Sequence, residues 1–138
     1  MQDRPDANVL LEAIQDLIIK EILPALKDND ALSYKTLVSW NMLGVIGREI
    51  KYGEIFLDKE IERVSNFLRE NSISFVTTDT EEKNYLAKME LCLSLNEKLT
   101  DYIRRKKIAN EDSELWSLVK ESLSEKLRIT NPRFGTGE

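Results

Sequence analysis

The 138-residue sequence predicts an all-α protein, folded as an up-and-down bundle of about five helices. Three observations carry that prediction. Apolar residues recur at intervals of three and four along five successive stretches, the spacing that lines one face of an α-helix. Helix breakers are few, with three prolines and five glycines. The polar runs between the stretches, such as "KDNDA" at 27–31 and "ANEDSE" at 109–114, are short, and adjacent amphipathic helices bury their stripes most simply as antiparallel neighbours. With 41% hydrophobic and 33% charged residues, the composition is that of one globular domain, residues 1–138, ending in a short flexible tail from about 130.

Asp6 is placed to cap a first helix marked by Leu10, Leu11, Ile14, Leu17, Ile18 and Ile22, which Pro24 should end or bend. Asp30 is the expected cap of a second helix running to about Tyr52, with Gly53 as its left-handed terminator. A third helix is expected from about Glu54 to Glu70, with Leu57, Ile61, Val64 and Leu68 on its apolar face. "SISFVTTD" at 72–79 alternates briefly like a strand but has no second strand to pair with, so it reads as an extended linker. Asp79 and Glu82 then suggest a capping box for a fourth helix, Thr80 to Lys106, with Met89, Leu93, Asn96, Leu99 and Ile103 on one face. The last helix runs from about Ser113 to Ile129 with Leu115, Trp116, Val119, Leu123 and Leu127, and Pro132 closes it.

Composition narrows the function. There is no histidine, which removes the commonest general base, the nucleophile–histidine pairs and the usual zinc and di-iron ligand sets. The single cysteine, Cys92, allows neither an internal disulfide nor a paired-cysteine metal site. None of the glycines makes a phosphate loop. The expectation is a non-enzyme that needs no cofactor and no metal. A net charge of -5 disfavours nucleic acid, whose recognition rests on clustered Lys and Arg. The polar start "MQDRPDAN" lacks the pattern of a signal peptide, and charges interrupt every apolar run well short of the roughly 20 residues of a membrane span. A cytoplasmic protein is expected.

One stretch stands out, "LVSWNMLGVIGREI" at 37–50. Its apolar residues point around most of a helix, the pattern of a central element, yet Asn41 and Arg48 lie seven apart on nearly one face with Gly44 between them. A buried guanidinium needs a carboxylate, phosphate or carbonyl partner. The stripe is therefore either an inter-helix hydrogen-bond network, with Arg48 paired to an acid on another helix, or a ligand or partner contact. Gly44 and Gly47 fit close helix approach and also room for a ligand. "IRRKK" at 103–107 suits the negative end of a helix dipole or an anion site. At "KLRITNPRF", 126–134, Asn131, Arg133 and Phe134 either pack back on the bundle or dock to a partner.

Together, "RPDA" at 4–7, "EILPAL" at 21–26, Asn41 with "RE" at 48–49, "LNEKL" at 95–99 and "KLRITNPRF" resemble a family of small all-helical bacterial proteins classed as a domain of unknown function. The resemblance covers nearly the whole chain in order. It implies genes lying beside aminoglycoside-phosphotransferase-like kinases and acyl-CoA dehydrogenases, and hence an accessory subunit of a kinase acting on hydroxyacyl-CoA substrates. Arg4, Asp6, Asn41, Arg48, Glu49, Asn131, Pro132 and Arg133 match the family pattern; the candidate partner or ligand contacts are these without Pro132, together with Phe134. The chain departs from typical members in the longer polar linker "ENSISFVTTDTEEK" and in its lysine-rich surface. Alternative expectations are a binding module for an acyl-CoA or organic acid, and an enzyme using carboxylates alone. An apolar stripe left over from helix packing would favour a homodimer.

Overall fold

The computed structural model describes residues 4–75, 84–107 and 113–134, and all the regular structure among them is helical. Four helices are present among the described residues, where five were expected. We number them α1 to α4. The first, α1, runs through Ala7–Leu17, a widened π-turn at Ile18–Ile22 and a last turn at Leu23–Ala25. Asp6 caps it as expected, its carboxylate accepting from the Val9 N–H at 3.0 Å. Ala25 is the last helical residue, one beyond Pro24. The π-turn immediately before it relaxes the ladder into which proline cannot donate.

α2 is one unbroken helix, Asp30–Glu70. Its cap is Asn29 rather than Asp30: the Asn29 side-chain oxygen accepts from the Leu32 N–H at 3.0 Å. Gly53 does not terminate it. No glycine among the described residues has a positive φ, and Gly53 is buried in mid-helix, where it costs only about 1 kcal/mol relative to alanine. The true end lies at Ser72, which takes the left-handed conformation at φ 56°. There Ile73 N–H donates to Leu68 O and Ser72 N–H to Arg69 O, the Schellman pair of bonds. Ile73 also packs against the core that contains Leu68, which supplies the apolar half of the same motif.

α3 spans Tyr85–Lys106. It starts later than expected because Asn84, in extended backbone, caps it by accepting from Ala87 N–H. The expected Asp79–Glu82 box lies outside the described residues. Lys107 closes α3 in the left-handed conformation, and Arg104, Arg105 and Lys106 occupy its last turn, where cations offset the helix dipole. α4 spans Ser113–Thr130, and Pro132–Phe134 follow as a 3-10 turn. Residues 135–138 of the expected tail lie outside the described residues.

The chain divides into two compact units: residues 4–53 with 129–131, and residues 54–128 with 132–134. The second unit holds the core. Ile61, Val64, Phe67 and Leu68 of α2 meet Cys92, Leu95 and Leu99 of α3 and Leu115 of α4, with Val64 and Leu68 fully buried. Phe67 and Tyr102 stack edge to face at 5.7 Å, and Tyr102 donates to the Asn71 side chain at 2.8 Å.

The first unit is an antiparallel helical hairpin. Ser33 donates to Leu26 O near the turn, and Gln15 reaches Trp40 O farther along. Among residues 4–53 only Gly53 is buried, so the N-terminal half of α2 is not the enclosed central element that its apolar residues suggested. No helix among the described residues is long and apolar enough to cross a membrane.

Candidate functional site

Within the first unit, α1 and α2 approach closely along a seam set by two glycines. A methyl group on Gly47 would sit 3.4 Å from Asn8 and 3.7 Å from Leu11, and one on Gly44 would sit 3.0 Å from the Gln15 amide and 3.2 Å from the Arg48 guanidinium. The glycines thus serve helix approach, and Gly44 also leaves space for the Arg48 head group. Beside the seam lies a groove of about 590 Å³, whose walls include Asp6, Glu12, Gly44, Arg48, Lys51 and Tyr52.

Arg48 is half-buried, and its Nε donates to Ile129 O at 2.6 Å. That oxygen is among the last carbonyls of α4, which lack a partner inside their own helix, so a guanidinium there satisfies an orphan acceptor and offsets the dipole. The expected carbonyl partner is present. The expected acid is not: no ion pair between Arg48 and a carboxylate occurs among the described residues. Of the remaining candidates, Asp6 caps α1 and lines the groove, and residues 129–131, including Asn131, fall in this same unit. Arg4, Asn41, Glu49 and Arg133 are exposed, and Phe134 ends the 3-10 turn.

In the second unit the structure shows a polar network that sequence reasoning missed. Glu60, 5% exposed, accepts from Asn96 Nδ2 at 2.9 Å and Lys126 Nζ at 2.7 Å. Arg63 pairs with Glu125, donates to Ser122 Oγ at 3.3 Å and lies 3.5 Å from Glu121. Lys88 bridges Glu54 at 2.8 Å and Asp58 at 2.9 Å, and these hydrogen bonds raise its pKa above the ordinary lysine value. Burial, with Glu60 nearby, pushes the Cys92 thiol up to about 11, so it is a core group rather than a nucleophile. Asn96 on an otherwise apolar face was the one visible signal of this network.

The faces of α3 and α4 also differ from expectation. Leu95 and Leu99 of α3 and Leu115, Ser122, Glu125 and Ile129 of α4 point inward, while Met89, Leu93, Trp116, Val119 and Leu123 are exposed. The two helices carry one pattern. Leu86, Met89 and Leu93 precede Asn96 by ten, seven and three residues, and Trp116, Val119 and Leu123 precede Lys126 by the same intervals. Each exposed apolar stripe therefore lies on its helix beside the residue that donates to Glu60.

The family described as Domain of unknown function (DUF6285) matches residues 24–134. The chain belongs to this family. No curated protein and no solved structure matches it. The DUF6285 match takes in Asn41, Arg48, Glu49, the Glu60 network and the "NPRF" end, whereas Arg4 and Asp6 lie ahead of it.

Proposed function

We propose that this DUF6285 chain is a cytoplasmic, non-catalytic accessory subunit that binds an aminoglycoside-phosphotransferase-like kinase of hydroxyacyl-CoA catabolism. The choice of a kinase rests on the family resemblance. The docking half is carried by one observation, the paired apolar stripes of α3 and α4, in which Trp116 is 58%, Leu123 55% and Leu93 65% exposed. A tryptophan flanked by aliphatic side chains on a rigid helix is the composition of an interface anchor. The test is to co-express the chain with the kinase encoded nearest to it and follow co-elution and ATP turnover on a 4-hydroxyacyl-CoA. Co-elution with raised turnover is expected. Trp116→Ala should weaken the complex by about thirtyfold or more, the effect of losing an interface anchor. Independent elution with unchanged turnover would remove the proposal.

A second reading is favoured by the groove of the first unit, where Arg48 and Lys51 could meet the carboxylate or phosphates of an organic acid or acyl-CoA. Titration calorimetry with acetyl-CoA and with 4-hydroxybutyrate decides it; no heat from either ligand would count against it.

A further inference from the structure

The first unit has helices but no interior. On α1 not one side chain is buried, and on the N-terminal half of α2 the residues Val38, Met42, Ile46 and Ile50 are 39%, 58%, 47% and 54% exposed. These four stand at strict four-residue intervals, a ridge of the kind that packs into the equivalent groove of another helix. Leu10 and Ile14 begin a similar ridge on α1, at 42% and 45% exposure.

The charges beside the ridge identify what covers it. Lys35, Met42 and Glu49 are spaced seven and seven residues apart, so they fall on nearly one line along α2, with Met42 at the centre and opposite charges two turns away on either side. Lys35 and Glu49 are both exposed. Turning a second α2 by 180° about an axis through Met42 sets Lys35 of each copy against Glu49 of the other and Val38 against Ile46. A two-fold pairing must be self-complementary in this way. A surface built for an unrelated protein has no reason to place opposite charges symmetrically about the most exposed residue of the ridge.

We propose that a second copy of this chain occupies this face of the hairpin, the two α2 helices crossing antiparallel at Met42. The inference concerns a different unit from the stripes of α3 and α4 and stands whether or not a kinase binds there.

Sedimentation equilibrium on the full chain tests it. The purified protein should sediment at twice its 16.0 kDa mass at micromolar concentration. Lys35→Glu and Glu49→Lys should each raise the dimer dissociation constant by about tenfold, since each converts two facing opposite charges into two like pairs. The double variant should recover wild-type association. Met42→Lys should give a monomer with unchanged helical circular dichroism. A 16.0 kDa wild-type species across the concentration range, a dimer that survives Met42→Lys, or a double variant no better than either single one overturns the proposal.

Discussion

The two units are made from the same kind of amphipathic helix and sit on either side of Gly53 in one continuous α2, yet only the second has an inside. In residues 54–128 three helices converge, so Val64, Leu68 and Leu95 are at or below 1% exposure, and Arg63 and Glu125 pair largely out of water. In residues 4–53 two helices meet along a glycine seam, and their large apolar side chains remain partly wet. Two helices have too little surface facing inward to enclose a side chain; a third closes the space. The second unit therefore has a buried core within the chain, and the first has none among the described residues.

Truncations should separate the units most clearly. Leu68→Ala empties a fully buried site and should cost about 4 kcal/mol in urea unfolding at any protein concentration. Ile46→Ala, on a side chain 47% exposed, should cost about 1 kcal/mol or less in dilute protein. If a second copy covers the hairpin, the Ile46 cost grows with protein concentration, because dissociation then precedes unfolding. Equal costs for the two variants in dilute protein would break the comparison.

Ion pairs should differ in the same direction by a smaller margin. The side chains of Arg63 and Glu125 are 18% and 10% exposed, so Glu125→Ala leaves a guanidinium largely out of water. About 2–3 kcal/mol is expected, less than for a fully abandoned buried charge because Glu121 remains at 3.5 Å. The first unit offers Asp16–Lys20, whose side chains are 64% and 68% exposed. Asp16→Ala should change stability by no more than about 0.5 kcal/mol. A cost for Asp16→Ala near that for Glu125→Ala would mean that the hairpin excludes water after all.

How far the sequence could be read follows the same division. The all-α class, the Asp6 cap and the inward face Ile61, Val64 and Leu68 were legible because local spacing and a local hydrogen bond determine them. The helix count was not. Gly53 has the residue type of a terminator, but termination needs a left-handed backbone and free carbonyls to receive it, and these lie at Ser72, a residue without glycine's freedom. Burial along 37–50 was misjudged because periodicity reports which residues are apolar and says nothing of whether another helix arrives to cover them. On α4 apolar spacing put Trp116 inside and left Glu125 out, because the face that is buried carries Ser122 and Glu125, whose partner Arg63 lies on α2. The candidate site was half legible: Arg48 needed a partner and found a carbonyl, while the pairing of Glu60 with Asn96 and Lys126 joins three helices and leaves no local trace.

The mildest test uses pH on the second unit alone. Lys88 is held between Glu54 and Asp58, and its pKa lies above the ordinary 10.5. Below 10.5 the ammonium is protonated in both the folded and unfolded chains, so its contribution to stability is fully present and constant. As pH rises past that value the unfolded chain loses the proton first and the folded one keeps it. Folding then takes up a proton, and the contribution falls until the folded ammonium also titrates. Lys88→Met lacks the titrating group while keeping much of the aliphatic stem. The difference in urea midpoint between wild type and Lys88→Met should therefore be flat at neutral and mildly alkaline pH and shrink above 10.5. Other lysines and tyrosines titrate in both proteins and largely cancel in that difference. A difference that stays constant through the alkaline range would assign Lys88 a packing role, and one that grows would reverse the sign of its pairing with Glu54 and Asp58.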